Sequence, residues 1–286
     1  GKGTGEGDTG SVGIYKLNGT GTITTAGNGW TIGNNGYGIF MKQEKGQIAT
    51  INNGADMNLG TAAVGIYSSG VNTVNNSGTI TVGETDTKGD PNKTQDHLNS
   101  VGIYVTNGTT VNNTGTIDVK HDFSVGIYGS GEGTHITNAL GATINVDKGG
   151  VGILVQNKAI AVNKGTINLG SIESPYTTTV GMAAYSGASI INAFGAVIKV
   201  GEGSGMVVGV GATLTNNGKI EVTNGVGIQG GGQILNQGDI TIQPGGSGIQ
   251  VGNTGVGSAE VGSIKIDSEG NVTINDKYVG IGGSLS

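Results

Sequence analysis

Short segments in which apolar residues alternate with others recur along the whole chain. The commonest is Val-Gly-Ile-Tyr, found at Val12–Tyr15, Val64–Tyr67, Val101–Tyr104 and Val125–Tyr128. Looser relatives follow it to the end of the sequence, and their central glycines lie 21 to 37 residues apart. Alternation over this length predicts a half-buried β-strand, with Val and Ile inward and Gly and Tyr outward. The strand recurs in a loose unit of about 24 residues.

A second motif lies out of phase with the first and consists of an apolar residue, Asn, Gly and then Ile. Val74–Ile80 and Val111–Ile117 are two examples. Each unit thus holds three short strands separated by turns, which predicts one coil of a solenoid whose stacked coils pair strand with strand. The 18-residue coil built from hexapeptides, which marks left-handed β-helices, does not fit this spacing. The sequence predicts an all-β, single-chain right-handed parallel β-helix (solenoid) of about 11 coils with roughly 24 residues each.

Two stacked rows follow from this repeat. One is an inward row of isoleucines, made of Ile14, Ile39, Ile66, Ile103, Ile127, Ile153 and Ile228. The other is a row of corner asparagines, made of Asn76, Asn113, Asn138, Asn163, Asn192, Asn216 and Asn236. We interpret the asparagines as an amide ladder that binds turn backbone from coil to coil. The alternative is a polar ladder that binds a ligand.

Composition agrees with strands and excludes several other classes. The 286 residues include 60 Gly, 3 Pro and no Cys, which is incompatible with a mainly helical protein or with collagen. All basic residues are Lys and the net charge is −6, so nucleic acid is not an expected partner. No apolar run is long enough to span a bilayer, and the first ten residues do not resemble a signal peptide.

The two motifs together, in units of about 24 residues, resemble the passenger repeats of large autotransporter (type V secreted) adhesins, especially those of fusobacteria. The resemblance covers nearly the whole chain, from Val12 to Ile281. It implies a secreted rod at the bacterial cell surface that binds a protein or glycan on host cells or on other bacteria. It also implies anchoring through a C-terminal outer-membrane β-barrel absent from this chain, so we expect a passenger fragment forming one domain over residues 1–286.

An aromatic row is the first candidate binding site. If the tyrosine of each tetrapeptide points outward, one ring per coil forms an exposed ladder made of Tyr15, Phe40, Tyr67, Tyr104 and Tyr128. Exposed aromatic rows offer a large contact area to sugars or partner proteins. The alternative is a packing ladder in which each ring covers the edge of its neighbour.

Corner insertions are the second candidate, at residues 83–100, 120–124 and 170–179. The first two occupy the same corner in successive coils, so stacking is expected to bring Asp96, His97, His121 and Asp122 to one edge of the rod. Binding residues favour loops held on rigid scaffolds. Solvated insertions without a binding role are the alternative.

Ionisable residues offer little catalytic chemistry. The sequence contains neither a zinc pattern nor a nucleophile–base spacing around its three histidines, so we expect no metal, no cofactor and no enzymatic activity. A carbohydrate-active β-helix enzyme of tailspike or pectinase type is the alternative, with Asp96 and Asp122 as its first candidate carboxylates. A third possibility is a structural stalk that carries a receptor-binding tip elsewhere.

Overall fold

Three long β-sheets, here named A, B and C, build the fold of this computed structural model. The structure describes residues 10–44, 46–83, 100–171 and 177–251, together with the backbone of five short strands between 258 and 285. The chain passes through sheets A, B and C in turn and then returns to sheet A, so that each circuit forms one coil. Within the described residues, no helix is long and apolar enough to cross a membrane.

Each sheet contains eleven strands. Sheet A consists of β1 (Val12–Leu17), β4 (Tyr37–Lys42), β7 (Val64–Ser69), β10 (Val101–Thr106), β13 (Val125–Ser130), β16 (Val151–Gln156), β19 (Val180–Ala184), β22 (Ser204–Val208), β25 (Gly225–Gly230), β28 (Gly246–Val251) and β33 (Ser284–Leu285). Sheet B consists of β2 (Gly21–Thr25), β5 (Ala49–Asn53), β8 (Thr73–Asn76), β11 (Thr110–Asn113), β14 (His135–Asn138), β17 (Ile160–Asn163), β20 (Ser189–Asn192), β23 (Thr213–Asn216), β26 (Gln233–Asn236), β29 (Ser258–Glu260) and β32 (Val279–Gly280). Sheet C consists of β3 (Trp30–Ile32), β6 (Met57–Leu59), β9 (Thr79–Val82), β12 (Thr116–Val119), β15 (Thr143–Val146), β18 (Thr166–Leu169), β21 (Val197–Val200), β24 (Lys219–Val222), β27 (Asp239–Ile242), β30 (Ser263–Ile266) and β31 (Val272–Asn275).

Strand register follows the sequence repeat and confirms the parallel β-solenoid. In sheet A, Ile103 pairs with Ile66 on one side and with Ile127 on the other, in parallel ladders. The predicted isoleucine row lies in the core, where Ile14 is partly buried and the other six are fully buried. Met182 and Met206 continue the row where the sequence lacks isoleucine. Insertions at corners do not disturb this register, because strands pair by motif and not by distance along the chain.

The solenoid has about nine turns of about 25 residues, fewer than the eleven coils predicted. In sheet C the last strand that pairs in parallel is β27. The two later strands of this sheet, β31 and β30, pair antiparallel. The prediction of an eleventh coil at Val279 is wrong, because strand β32, which contains Val279, runs antiparallel to β29. After Val251 the sequence contains no further copy of the Asn corner motif, so the signal that adds a parallel coil is lost. The antiparallel strands end the stack.

The glycine of each tetrapeptide faces the interior, which corrects the outward orientation predicted from alternation. A Cβ on Gly102 would lie 3.2 Å from the core atom Cγ2 of Val82 and 2.5 Å from the carbonyl oxygen of Gly126 in the next coil. Gly and Ile are therefore two consecutive inward residues. The preceding valine points outward as a result, and Val12, predicted to be inward, is exposed. In nine repeats the carbonyl oxygen of the next repeat glycine lies 2.5–2.8 Å from the position that a Cβ would occupy. Only glycine therefore fits there without a backbone shift.

The corner between sheets B and C is held by the predicted asparagine ladder. Each side chain is fully buried, and each one before Asn236 donates from Nδ2 to Oδ1 of the asparagine in the next coil, as Asn163 does to Asn192 at 2.9 Å. The ladder begins with Asn53, one coil earlier than predicted, and ends at Asn236. Several of these amides also donate to the carbonyl two residues later, which closes the turn. The structure thus confirms the backbone-binding interpretation over a surface ladder.

Candidate binding groove on sheet A

Sheet A carries two outward rows of side chains because two inward residues separate them. The first position of each tetrapeptide contributes one row, occupied by Tyr37, Val64, Val101, Val125 and Val151. The fourth position contributes the aromatic row. In an uninterrupted strand, outward residues lie two apart. Here they lie three apart, which leaves a shallow channel between the rows along the axis of the solenoid.

The aromatic row forms a continuous stack, one ring per coil, in the order predicted from the sequence. Ring centroids from Tyr15 to Phe40, Tyr67, Tyr104 and Tyr128 are separated by 5.3, 4.7, 5.4 and 4.6 Å in turn. Successive rings among the first four lie within 27° of parallel, and the Tyr128 ring is tilted by 35° from that of Tyr104. Only Tyr15, at the end of the stack, is largely exposed, at 59%. The other four are half-buried, which corrects the expectation of a fully exposed ladder.

The inner rings are half-buried because they cover the valine row. Val64, Val101 and Val125 retain only 3–8% of their exposure and form a cluster separate from the main core, with the tyrosine rings packed against them. Tyr37 adds an edge-on contact to the stack, with its centroid 5.4 Å from Phe40. The aromatic ladder therefore has a packing role, as the alternative interpretation of the sequence proposed. It also leaves an open groove beside it.

The groove has a volume of about 510 Å³ and runs along sheet A from the second coil to the sixth. Its lining consists of Asn35, Tyr37, Ala62, Val64, Tyr67, Val101, Tyr104, Val125, Tyr128, Leu154 and Gln156. These side chains are aromatic, aliphatic or amide, and none of them carries a charge at neutral pH. A largely apolar cleft with a few polar groups is typical of a ligand site.

The polar groups of the groove are phenols and amides at its edge. Burial, and to a smaller extent the neighbouring Tyr128 and Tyr67, raises the pKa of the Tyr104 phenol to about 12. Tyr104 therefore stays a neutral hydrogen-bond donor at any physiological pH. The Tyr128 hydroxyl donates a hydrogen bond of 3.4 Å to Oε1 of Gln156.

Because the rings are stacked on one another, the faces of the inner rings are occupied. A ligand in the groove would meet ring edges, hydroxyl groups and the flanking valines. Ring edges carry the positive part of the aromatic quadrupole and suit electronegative atoms or other ring faces. The arrangement can hold an uncharged, partly apolar ligand. It is less suited to flat stacking of sugar rings on tyrosine faces.

Comparison with known protein families identifies the class of the chain. The family model of the BigA third pectate lyase-like domain matches residues 6–139 and 136–195, which is more than half of the chain. The chain belongs to this family. It is thus a pectate lyase-like β-helix domain of a bacterial surface protein. Searches of curated proteins and of solved structures found no match.

Two further predicted site residues of this BigA-type domain lie at the corner between sheets C and A. His121 and Asp122 occupy the turn between β12 and β13, where the backbone amide of Ser124 donates to the His121 carbonyl. Both side chains are partly buried and neither lines the groove. Asp96 and His97 lie outside the described residues, so their predicted approach to His121 and Asp122 stays a prediction. Among described residues, no three His, Asp or Glu side chains converge on a possible metal position.

The second wall of the groove was not predicted from the sequence. The valines of the tetrapeptide were expected in the core, whereas Val64, Val101 and Val125 form the groove wall. One signal was present in the sequence: Tyr37 occupies the valine position of its repeat, and a tyrosine fits poorly in a narrow apolar interior. Leu154 and Gln156 at the far end have no comparable signal.

Proposed function

We propose that this domain is a non-catalytic passenger segment of an autotransporter-type adhesin, displayed at the bacterial cell surface. Its groove on sheet A binds a protein or glycan on a host cell or on another bacterium. The single observation that carries this proposal is the uncharged groove of about 510 Å³ beside a five-ring aromatic stack. Membership of the family of the BigA third pectate lyase-like domain agrees with the β-helix scaffold on which the proposal rests.

The apolar lining of the groove supports a modest affinity. Apolar burial contributes about 25 cal/mol per Å², so covering that lining would contribute about 2 kcal/mol from the groove side before the costs of association. Tyrosine lowers those costs because its ring has few rotatable bonds and is held in place here by its neighbours. A rigid, preformed surface of this kind suits repeated weak contacts at a cell surface.

The groove lining favours binding over hydrolysis of a polysaccharide. Glycoside hydrolysis by the usual mechanisms needs two carboxyl groups flanking the scissile bond. The described residues that line the groove include neither Asp nor Glu. Tyr, Val and Gln side chains can orient a ligand, but they do not form that acid–base pair.

The test replaces the rings while preserving the packing. Leu154 occupies the tyrosine position in the sixth coil, so the triple variant Tyr67→Leu, Tyr104→Leu, Tyr128→Leu keeps an apolar cover over the valines and removes the ring edges and hydroxyls. We expect at least tenfold weaker binding to host cells, to bacteria and to the positive features of a glycan array. A matched control changes outward residues of the same three coils on sheet C, as Thr79→Ala, Thr116→Ala and Thr143→Ala.

Circular dichroism and thermal unfolding must show that both triple variants are folded. A folded leucine variant that binds as well as the unchanged protein would contradict the groove as the binding site. If the unchanged protein binds no cell and no glycan, the stalk alternative is correct instead. Release of reducing sugar or of unsaturated products from any glycan would overturn the non-catalytic assignment.

A further inference from the structure

Two large apolar side chains project from the corner between sheets B and C into solvent. Leu140 is 84% exposed and Phe194 is 93% exposed, the highest values among the large apolar side chains of the described residues. Single exposed apolar residues are normal on protein surfaces. These two differ because they occupy equivalent positions in the same structural repeat. We call them the knob residues.

Each knob residue stands at the tip of an enlarged turn with its own sequence motif, Asn-Ala-(Leu/Phe)-Gly-Ala. The turn that carries Phe194 is closed by a 3.0 Å hydrogen bond from the amide of Ala196 to the carbonyl of Ala193. Gly195 has a φ of 80°, which favours glycine, and Ala196 is buried and anchors the turn. The turn of Leu140 has the same bond and the same buried alanine. Both turns are therefore ordered platforms for one apolar side chain.

The coil between the two knob residues has a shorter turn. There Asn163 is followed directly by Lys164 and Gly165. Because Asn138, Asn163 and Asn192 pair in consecutive coils, the two knobs are two coils apart, roughly 10 Å along the axis. The corner thus presents two apolar projections with a recess between them.

The knobs and the groove lie on opposite sides of the solenoid. The corner between sheets B and C is the one corner that does not border sheet A. The groove crosses five strands of sheet A, a length of roughly 19 Å, and so accommodates two projections roughly 10 Å apart. Rods with the same coil spacing bring repeated features into register when they lie side by side. The two knobs of a second copy therefore have the same spacing as the strands that the groove crosses. An unrelated partner need not share that spacing.

We propose that Leu140 and Phe194 of one copy dock into the aromatic groove of a second copy, so that the domain associates laterally with itself. This inference rests on the proposed function in one respect, that the groove is a binding site. It adds the partner: another copy, including one displayed by a neighbouring bacterium. Because knobs and groove are different patches, the contact is heterologous and continues from rod to rod in an open row.

The chemistry of the two surfaces suits this pairing. The knob side chains are apolar and the groove lining is uncharged, so neither of these two sets of side chains loses the hydration of a charge. Lys164, in the turn between the knobs, is exposed, and its long side chain keeps its ammonium group in water. The whole chain carries a net charge of −6, and two like-charged rods repel each other at low ionic strength. Association should therefore strengthen as salt is raised. One pair of knobs buries little area, so each contact is weak and becomes effective when many copies are displayed together.

The experiment is sedimentation velocity over a concentration series at low and at moderate salt. The unchanged protein is expected to show a weight-average sedimentation coefficient that rises with concentration, and more steeply at moderate salt. The double variant Leu140→Ser, Phe194→Ser should weaken self-association at least tenfold and keep the fold, because neither side chain contributes to the core. The matched control Val71→Ser, Val210→Ser removes two exposed apolar side chains from the corner between sheets A and B and should associate normally.

Mixing variants gives the sharper result. The knob double variant retains its groove, and the leucine triple variant of the groove retains its knobs. Each alone should stay monomeric, whereas the mixture should form a one-to-one dimer that grows no further. Self-association unchanged in the knob variant, or a mixture that stays monomeric, would overturn the proposal.

The outcomes also separate this inference from the proposed function. If the unchanged protein stays monomeric yet binds cells through the groove, self-association is wrong and the adhesin proposal stands. If it self-associates through the knobs but binds neither host cells nor glycans, the foreign-ligand part of the proposed function fails. Binding to phosphatidylcholine–phosphatidylglycerol vesicles that is lost in the knob variant, without self-association, would assign the knobs to a lipid surface and overturn the second copy as partner.

Discussion

At the scale of the residue, the repeat glycine shapes the surface of sheet A. The carbonyl oxygen of Gly126 stands 2.5 Å from where a Cβ of Gly102 would be, and core methyl groups fill the remaining space. This position therefore faces inward without adding volume. The next residue also faces inward, and the two outward rows are set apart. The groove follows from the absence of a side chain at one position in each coil.

Tyr104, in the middle of the aromatic row, gives a prediction for high pH. Its pKa is raised from about 10 to about 12, chiefly by burial. Between these values the unfolded chain has lost the phenol proton and the folded chain keeps it, so the free energy of unfolding falls as pH rises through this window. The contribution of the Tyr104 proton to the free energy of unfolding is fully present below pH 10. Tyr104→Phe should show a smaller loss of stability than the unchanged protein in urea unfolding between pH 10 and 12.

The same proton can be observed directly. Tyrosine labelled at Cζ should show a Tyr104 resonance, assigned through the Phe variant, that titrates with a midpoint near 12. A midpoint near the ordinary value of 10 would mean that the ring is not desolvated as the structure describes.

At the scale of the element, the corner between sheets B and C depends on a continuous amide ladder. Asn163 accepts from Asn138 and donates to Asn192, both at 2.9 Å, and all three are fully buried. Amides at this depth have no water to replace a lost partner. An interior member of the ladder is therefore coupled to two coils, whereas the last member is coupled to one.

That difference predicts the cost of truncation along the ladder. Asn163→Ala leaves Nδ2 of Asn138 and Oδ1 of Asn192 without partners, and we expect a cost of about 2–4 kcal/mol in the free energy of unfolding. Asn236→Ala leaves one neighbour, Asn216, without an acceptor and should cost roughly half as much. Equilibrium unfolding in guanidinium chloride measures both. Equal costs would show that the ladder bonds are not the reason for the loss.

At the scale of the whole molecule, each coil contacts mainly its two neighbours. Sheets A, B and C all add one strand per circuit, and the described core is one continuous column of side chains. Stability in such a solenoid is approximately a sum over coils and the interfaces between them. A destabilising substitution in one coil is therefore expected to unfold a few neighbouring coils and to leave distant coils folded.

Ile103→Asp tests this locality. The change puts a charge without a partner at a fully buried position and should cost several kcal/mol. In hydrogen exchange followed by mass spectrometry, strands β7, β10 and β13 should lose protection while β22 and β25 remain protected. Ile228→Asp is the reciprocal variant, with loss expected around β25. Uniform loss of protection in both variants would indicate one cooperative unit and contradict the nearest-neighbour description.

The sequence predicted the scaffold better than the surface. Register, the isoleucine row and the asparagine ladder all follow from residues that recur once per coil, and repetition makes such a signal strong. The coil count was wrong at Val279 because a tetrapeptide relative alone does not specify parallel stacking without its Asn corner. The predicted inward orientation of Val101 was wrong because alternation assumes a regular pleat. The pleat is interrupted at Gly102, where the next coil blocks the Cβ position, and that contact cannot be deduced from a single repeat.

The one-way asparagine ladder gives the rod a polarity beyond its chain direction. From Asn53 to Asn216 every Nδ2 group donates toward the following coil, and from Asn76 to Asn236 every Oδ1 group accepts from the preceding one. Rotating one amide by half a turn would set oxygen against oxygen on one side and nitrogen against nitrogen on the other. A reversal would have to pass through the whole column and would also set Oδ1 against the backbone carbonyls that now accept from Nδ2, such as those of Gly78 and Gly165. The column behaves as a single aligned dipole whose orientation is fixed by these turn carbonyls.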